Sequence, residues 1–372
     1  MTGKERTLRA LYFQKPDRAP IMGGYFSHGP FIEEASGIRP WWENPQECLR
    51  RTYRNLGVDA IGANVLPKTP EQSAALEDGS VSNFTKKGEN PYKSPEDVLQ
   101  FVRNRPPLEE QKRGFDEQRV YDEIKNHYLN GQAEAGDDRL WMPWGGFGGV
   151  GFMWYSTFGY ENYYMALALY EKEMEVLFAN AGELGRMRNE ILVKCYEENN
   201  FPKVVWGGED ICDNRGPMVS PGLLRRIYFP HLKKAFQPLF DANIKLVWHS
   251  DGNIKPILED LLDTGVGGFQ GMQEHMPDPE LNNSLEELSQ LTDRHGDPLL
   301  FFGSISCRRT LPFGTPDDVR AAAQRCMDIS KARGGGIVIF PDNTVGPDVP
   351  PENLFALYEY VTGVKAKRYF QT

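Results

Sequence analysis

Two polar residues able to do chemistry stand at the end of an apolar run in the middle of the chain. Residues 248–253 read WHSDGN and end the run that begins at Ile244. Side chains two residues apart on a strand point to the same face, so His249 and Asp251 can meet at one point. An imidazole beside a carboxylate makes a pair of metal ligands or an acid–base pair. The alternative is that Asp251 caps the following helix and His249 is an ordinary polar residue.

Two adjacent carboxylates follow another apolar run. Glu209 and Asp210 follow residues 204–206, which read VVW, after two glycines. Because side chains alternate along a strand, only one of the two needs to face the end of the sheet. Either could serve as a general acid or base or as a metal ligand. The alternative is that the pair caps the loop or forms an ion pair with Arg215.

Two later strand ends carry weaker signals of the same kind. Asp342 and Asn343 follow the run 336–340, although both residue types are common in turns without any functional reason. Glu274 and His275 follow Met272 and offer a carboxylate and an imidazole, but they also read as an ordinary polar loop.

A stretch rich in glycine and aromatic residues spans 141–155 and reads WMPWGGFGGVGFMWY. Its glycine spacing matches neither the P-loop nor the dinucleotide-binding pattern, so it does not indicate phosphate binding. The alternatives are a flat wall for a planar or apolar ligand and plain core packing around a glycine-rich turn. The candidate wall residues are Trp144, Phe147 and Trp154, extended by Tyr25, Phe26 and His28 after the first apolar run.

The elements that must position these residues alternate in type along the chain. Short apolar runs alternate with longer helical patterns, which is typical of βα units around a parallel sheet buried on both faces. The predicted strands are 19–22, 58–62, 204–206, 244–248, 268–272, 299–303 and 336–340. Residues 160–200 form a long helical region with a predicted break near Gly182 or Gly185.

Helix start signals and one irregular segment complete this organisation. A serine or threonine before a proline starts helices after Ser94, Ser220 and Thr315. Residues 68–138 fit the alternation poorly, and we expect them to be an excursion with a hairpin at 80–87 and a charged helix at 107–128. We therefore expect residues 1–372 to form one domain with an insertion in its N-terminal half.

Composition excludes several classes of protein. The 372 residues carry a formal net charge of −10, so nucleic-acid binding through a basic face is not expected. No apolar run approaches the roughly 20 residues of a membrane span, and residues 1–6 are charged, unlike a signal peptide. The five cysteines are widely spaced, without a Cys-x-x-Cys pattern. We expect a reduced, cytoplasmic protein in which Cys307 and Cys326 are structural.

Motifs along nearly the whole chain resemble the uroporphyrinogen decarboxylase superfamily, in the order typical of that family. They are TLRAL at 7–11, KPDRAP at 15–20, GED at 208–210, GPMVSP at 216–221, HSDGNI at 249–254, FGSIS at 302–306, LPFGT at 311–315 and PPEN at 350–353. The resemblance implies a (β/α)8 TIM barrel. This superfamily contains decarboxylases and cobamide-dependent methyltransferases.

The chain departs from both branches of that superfamily. True uroporphyrinogen decarboxylases carry an Arg-Gln-Ala-Gly-Arg motif after the first strand, where this chain has GYFSHG at 24–29. Without those arginines, a polycarboxylated tetrapyrrole loses its bidentate partners. The methyltransferase branch binds zinc with a His-x-Cys pair and a later cysteine. His249 matches the histidine, Asp251 stands at the first cysteine, and Asn343, next to Asp342, stands at the second.

Loss of both sulfurs indicates a harder, oxygen-rich site and disfavours a thiol as the methyl acceptor. The resemblance therefore implies a methyltransferase-like enzyme that moves a methyl group from a small substrate, for example a methoxylated aromatic compound, to a corrinoid cofactor or corrinoid protein. The expected cofactors are a metal ion, zinc in the first place, and a cobamide on a partner protein. The expected catalytic residues are Glu209, Asp210 and His249; the metal ligands are His249, Asp251 and Asp342; the substrate-binding residues are Tyr25, Phe26, His28, Trp144, Phe147, Trp154 and Asn343.

Two other functions stay open at this point. A decarboxylase of a smaller acid needs a cation facing the site, and Arg215, Arg308 or Arg309 could supply it. A binding protein on a degenerate barrel needs no catalytic group. Whether the polar strand-end residues converge or point apart distinguishes these alternatives.

Overall fold

The computed structural model describes residues 1–62, 90–274 and 283–370. The predicted hairpin at 80–87 and His275 lie outside these residues. The described part combines short strands with helices on their outer side. Within it, no helix is long and apolar enough to cross a lipid bilayer.

Eight of the strands run parallel and form two sheets. The strands are β1 (Met22–Gly23), β2 (Ala60–Ile61), β3 (Leu140–Trp141), β4 (Val204–Gly208), β5 (Cys212–Asp213), β6 (Gly216–Pro217), β7 (Lys245–His249), β8 (Val266–Gln270), β9 (Leu300–Phe302) and β10 (Ile337–Val338). One sheet has the order β1-β2-β3 and the other has the order β10-β9-β8-β7-β4. Strands β5 and β6 form a separate antiparallel pair.

Isolated parallel bridges connect the two sheets at both sides. Trp144 pairs with Trp206, and Ile21 pairs with Ile339. Backbone hydrogen bonds accompany them: the Gly145 amide donates to the Trp206 carbonyl at 2.8 Å, and the Met22 amide donates to the Ile339 carbonyl at 3.0 Å. The mixed α/β class with parallel strands is thus confirmed.

The seven predicted strands are confirmed, and one further parallel strand, β3, was not predicted. An observed parallel strand overlaps each of the seven predicted runs. The strand β3 was not predicted, because its two residues, Leu140 and Trp141, stand at the start of the glycine- and aromatic-rich stretch. Two paired residues are too few to give an alternating pattern in the sequence.

Sixteen α-helices lie in the described residues. They are α1 (Gly3–Leu11), α2 (Gly29–Ser36), α3 (Pro45–Leu56), α4 (Pro95–Arg103), α5 (Leu108–Arg113), α6 (Glu117–Ala135), α7 (Tyr155–Phe158), α8 (Tyr160–Leu169), α9 (Glu171–Glu198), α10 (Pro221–Ile227), α11 (Phe229–Asp241), α12 (Leu258–Asp263), α13 (Leu285–Leu288), α14 (Thr310–Phe313), α15 (Pro316–Arg333) and α16 (Pro351–Thr362). Short 3-10 turns occupy Trp41–Glu43 and Lys255–Ile257.

The three predicted helix starts are confirmed by their caps. Ser94 and Thr315 each form a reciprocal capping box, with Asp97 and Asp318 respectively. The Ser220 hydroxyl accepts from the Leu223 amide at 3.2 Å. Each cap satisfies a backbone donor that the first turn of a helix leaves without a partner.

The predicted break near Gly182 or Gly185 is wrong. The chain breaks at Tyr170, between α8 and α9, and both glycines lie inside α9. A Cβ built on Gly182 would lie 2.7 Å from the carbonyl oxygen of His231 in α11. Glycine here permits close contact between two helices, so its presence in the sequence does not mark a helix end.

The predicted charged helix at 107–128 is divided in the structure. It consists of α5 and the start of α6, separated at Gly114. Asp116 begins α6, because its side chain accepts from the Arg119 amide at 2.9 Å. Both helices lie between β2 and β3 in the chain, and α6 packs against β3.

The strands are buried on both faces. Leu300 and Phe302 of β9 belong to one apolar cluster, while Phe301 between them belongs to a second, larger one. The smaller cluster gathers side chains from strands of both sheets, and the larger one packs strands against helices. This arrangement explains why the strand sequences are almost continuously apolar.

The motif KPDRAP has a structural role at the amino ends of the strands. Asp59, which directly precedes β2 and is 1% exposed, accepts from Arg6 at 2.5 Å and from Arg18 at 2.6 Å. Arg6 also binds Asp17 at 2.5 Å. This ion-pair network lies at the opposite end of the strands from His249.

Candidate active site and metal centre

Three side chains converge at the carboxyl ends of β4 and β7. His249 is the last residue of β7 and pairs with Gly208, the last residue of β4. Asp210 follows Gly208 by two residues, just as Asp251 follows His249. His249 Nε2 lies 3.3 Å from Asp210 Oδ1 and 3.9 Å from Asp251 Oδ1. The prediction that His249 and Asp251 meet at one point therefore agrees with the structure, and Asp210 joins them.

Asp251 is held by two hydrogen bonds that leave one of its oxygens free. Its amide donates to Asp210 Oδ1 at 3.0 Å, and its Oδ2 accepts from Asn343 Nδ2 at 2.6 Å. Asp251 Oδ1 is buried and accepts no hydrogen bond from the part of the chain that the structure describes. A buried carboxylate oxygen without a partner is costly, so this oxygen is a ready acceptor or ligand.

The other ring nitrogen of His249 contacts a residue that was not identified from the sequence. His249 Nδ1 lies 2.6 Å from Gln270 Oε1, and Gln270 Nε2 donates to the Asp342 carbonyl at 3.0 Å. Gln270 ends β8, whose sequence VGGFQ is otherwise apolar. A glutamine at the end of a fully buried strand was the signal that could have identified it.

Burial and neighbouring charges shift the protonation of the three side chains. Burial alone would lower the pKa of His249, but the hydrogen bond to Asp210 and the charges of both carboxylates raise it above its ordinary value. Burial likewise opposes ionisation of Asp210, and His249 nevertheless holds its pKa below the ordinary value. Burial raises the pKa of Asp251 to about 6, although His249 acts in the opposite direction.

The donor set of these residues fits a divalent cation. One ligand atom from each of Asp210, His249 and Asp251 lies within 4.8 Å of the other two. The orphaned Asp251 Oδ1 is one of the atoms facing the centre of this cluster. One imidazole nitrogen with two carboxylate oxygens is a recognised zinc donor set and also suits harder divalent ions.

Asp342 and Glu209, both expected at the site, make other contacts. Asp342 Oδ1 accepts from the Cys307 amide at 2.7 Å, and burial raises the pKa of Asp342 to about 7. Asp342 does not belong to the three-residue cluster. Glu209 Oε2 accepts from the Phe152 amide at 2.9 Å and from the Met153 amide at 3.0 Å. Glu209 thus anchors the glycine- and aromatic-rich stretch beside the cluster.

Two aromatic side chains border the cluster. The Trp144 ring lies edge-on to His249 with ring centroids 5.3 Å apart, and Tyr25 packs at 6.0 Å from Trp144. Tyr25 has a φ of +54°, a left-handed conformation unusual for a bulky residue. Burial and the charges of Asp251 and Asp210 raise the pKa of Tyr25, so its hydroxyl stays protonated.

Four other expected substrate-binding residues make contacts with core side chains or cap a helix. Phe26 is fully buried and packs on Phe31, while His28 caps α2 by accepting from the Phe31 amide at 3.1 Å. Phe147 packs against Phe236, and Trp154 stacks on Phe158. Asn343 contacts Asp251 as described above.

Of the arginines that could bind a substrate carboxylate, Arg308 acts on the cluster and Arg215 does not. Arg215 pairs with Asp213 and is largely exposed, whereas the charge of Arg308 acts on Asp251. Cys307 and Cys326 are buried and form no disulfide. Burial raises the pKa of the Cys326 thiol to about 11, which keeps it unreactive.

Comparisons with known proteins agree with this architecture. The family model described as "Uroporphyrinogen decarboxylase (URO-D)" matches residues 210–364, which begin at Asp210 and include His249 and Asp251. The predicted resemblance to the uroporphyrinogen decarboxylase family is thus confirmed over residues 210–364. No curated protein matches this chain in sequence.

Solved structures share the fold of this chain. One of them is a methyltransferase from Methanosarcina mazei, which is 19% identical in sequence, with a TM-score of 0.55. The match covers 98% of this chain and 99% of that chain. At this identity the comparison establishes a shared fold over the whole chain.

Proposed function

We propose that this protein is a methyltransferase that moves a methyl group from a small methylated substrate to a corrinoid acceptor. One observation carries the proposal: Asp210, His249 and Asp251 converge at the carboxyl ends of β4 and β7, the end where enzymes of this architecture hold their active sites. The similarity to a methyltransferase of the same fold supports the reaction class. The absence of the arginine motif at 24–29 argues against a polycarboxylated tetrapyrrole as substrate.

In this proposal a divalent cation, with zinc as first choice, is held by His249 Nε2 and by one oxygen each of Asp210 and Asp251. Asp342, whose carboxylate binds the Cys307 amide, is left out of the ligand set. When bound, the ion would polarise the heteroatom that carries the methyl group and so ease its departure. The three residues would fix that polarising centre beside the aromatic wall.

The remaining residues would orient the substrate. Trp144 and Tyr25 offer flat surfaces next to His249, which suits a methoxylated aromatic ring. Tyr25 stays protonated and can donate a hydrogen bond to the substrate. Glu209 would hold the backbone of Phe152 and Met153, and with it the wall, in place.

The methyl acceptor is proposed to be a reduced corrinoid presented by a partner protein. It would supply the nucleophile, while the bond between the methyl carbon and the substrate heteroatom breaks with its electron pair remaining on the heteroatom. A thiol acceptor is disfavoured, because the cluster contains no cysteine, whereas the zinc sites that activate thiols have thiolate ligands.

A direct assay tests this function. Purified protein is analysed for metal content and incubated with cob(I)alamin and a panel of methyl donors that includes methoxylated aromatic compounds. We expect methyl transfer from at least one donor, and its loss in His249→Ala. Absence of transfer from every donor, together with absence of cobalamin binding, would overturn the proposal.

A decarboxylase of a small acid is the second candidate, favoured by Arg308. Its charge acts on Asp251, a member of the cluster. A carboxylate of the substrate could bind there. Release of carbon dioxide from a small acid, lost in Arg308→Ala, would support this candidate over methyl transfer.

The two sheets are proposed to close into one (β/α)8 barrel. The Trp144–Trp206 and Ile21–Ile339 bridges support this closure, since each connects an edge strand of one sheet to an edge strand of the other. In the same proposal residues 1–372 form one domain, with the excursion at 68–138 between β2 and β3. The five unpaired cysteines fit a reducing, cytoplasmic location.

A further inference from the structure

We propose that Gln270 is a positioning residue that keeps a proton on His249 Nδ1, so that Nε2, which faces Asp210 and Asp251, is the nitrogen that gives up its proton to a cation. No motif in the sequence pointed to Gln270. Its role follows from two hydrogen bonds at one buried side chain.

The direction of these hydrogen bonds is determined by the Asp342 carbonyl. A carbonyl oxygen can only accept, so the amide nitrogen of Gln270 must face it, as it does at 3.0 Å. The amide oxygen of Gln270 then faces His249 Nδ1 at 2.6 Å. Because that oxygen can only accept, Nδ1 must carry the proton in either charge state of the ring.

Gln270 cannot easily turn its amide around. Its side chain is 1% exposed, so no water replaces a lost partner. The Asp342 carbonyl is itself fixed, because the Asp342 amide donates to the Ile305 carbonyl at 2.9 Å and the carboxylate binds the Cys307 amide. If the amide turned around, Gln270 Oε1 would lie against the carbonyl oxygen of Asp342, and neither could donate a hydrogen bond.

This arrangement decides which nitrogen of His249 can act. Nε2 lies 3.3 Å from Asp210 Oδ1 and 3.9 Å from Asp251 Oδ1, and in the protonated ring it donates to Asp210. If a cation displaced that proton, Nδ1 would keep its own, and the Nε2 lone pair would be directed at the cluster. The opposite tautomer would direct an N–H at the cluster, where it would exclude a cation. Partners that orient a ligating histidine in this way typically change metal affinity 10–100-fold.

Asn343 performs the corresponding task for Asp251. Its amide nitrogen binds Asp251 Oδ2, which leaves Oδ1 directed toward His249. Gln270 and Asn343 are thus both tied to the short segment 342–343 after β10. Residues 342–343 therefore orient His249, through Gln270, and Asp251, through Asn343, although neither residue belongs to the cluster.

The first test reads the tautomer directly in metal-free protein. Protein labelled with 15N-histidine is examined by long-range 1H–15N NMR, and His249→Gln identifies the signal of His249. At a pH above the raised pKa of His249, where the ring is neutral, we expect the Nδ1–H form in the wild type and a loss of that preference in Gln270→Met. We expect its return in Gln270→Glu, which as the neutral acid keeps both an acceptor for Nδ1 and a donor for the Asp342 carbonyl. This measurement does not depend on the proposed function.

The second test rests on the proposed function, because it measures cation binding. Competition with a chelator gives the Co²⁺ affinity of the same variants, and we expect it to fall about 10–100-fold in Gln270→Met and to recover in Gln270→Glu. Asn353→Leu is the matched control: this 1%-exposed amide donates to Leu311 and Gly314 carbonyls away from the site. Its Co²⁺ affinity should stay at the wild-type value.

The outcomes separate the two proposals. If the wild type binds no Co²⁺ but shows the Nδ1–H form, the metal-dependent function fails and the role of Gln270 stands. An Nδ1–H preference unchanged in Gln270→Met would overturn the role of Gln270. If that variant does not fold, an Nε2–H form in Gln270→Glu would overturn it equally.

Discussion

Asp210 Oδ1 and His249 Nε2 face each other at 3.3 Å across the carboxyl ends of two paired strands. The two residues are 39 positions apart in the sequence, and the parallel register between Gly208 and His249 brings them together. Asp210 Oδ1 also accepts from the Asp251 amide, so the same oxygen connects all three members of the cluster. This shared contact makes the cluster one unit.

His249→Ala should abolish methyl transfer and cation binding while leaving the fold intact. The imidazole is partly exposed at the end of β7, and its removal leaves the apolar packing of that strand unchanged. Circular dichroism and thermal unfolding measure the fold, and chelator competition measures the cation.

His127→Ala serves as the control for that variant, since His127 is an exposed residue of α6 away from the cluster. It should behave as the wild type in both assays. Full activity in His249→Ala would contradict a catalytic role for this cluster.

Asp251→Asn should weaken cation binding at least 10-fold, whereas Asp342→Asn should leave the affinity within about threefold of the wild type. Asp251 has a free oxygen facing His249, while the Asp342 carboxylate binds the Cys307 amide outside the cluster. Both changes keep the shape of the side chain. Calorimetric titration with Zn²⁺ compares them, and a larger loss in Asp342→Asn would restore Asp342 as the ligand.

Glu209→Ala should lower the free energy of unfolding by about 1–3 kcal/mol, because two backbone amides lose their acceptor. These are the amides of Phe152 and Met153 beside the aromatic wall. Cation affinity should change little. Urea denaturation together with the same titration measures both effects, and a stable variant that no longer binds the cation would indicate that Glu209 is a ligand.

The ion pairs of Glu183 should make stability depend on pH in acid. Hydrogen bonds from Arg186, in its own helix, and from Lys234 of α11 lower the pKa of Glu183 to about 2. A carboxylate with a lowered folded-state pKa stabilises the fold above its unfolded pKa of about 4.3, and this contribution is lost as the pH falls toward 2.

Glu183→Gln should therefore be less stable than the wild type at pH 7, by about 1 kcal/mol after solvent screening. The difference should shrink between pH 4.5 and 2. Urea midpoints at a series of pH values measure it. A difference that stays constant down to pH 2 would exclude the ion pairs as its cause.

Local patterns in the sequence determined most of the elements and the polar strand ends. Ser94, Ser220 and Thr315 begin helices because their hydroxyls satisfy backbone donors within three residues, an interaction that the sequence shows directly. The seven apolar runs became strands because only a doubly buried sheet accommodates them. His249 and Asp251 could be paired from sequence because a spacing of two residues fixes their common face.

Only the tertiary structure decided which residues complete the site. The register between β4 and β7 places Asp210 beside His249 as the third member of the cluster. Glu209 instead accepts from the amides of residues 152–153, and Asp342 accepts from the Cys307 amide. The contact between Gln270 and His249 was established only by the pairing of β8 with β7. These contacts join residues far apart in the chain, and their energies depend on burial and on the direction of each hydrogen bond. Neither property is encoded in the spacing of residues, so folding alone settles them.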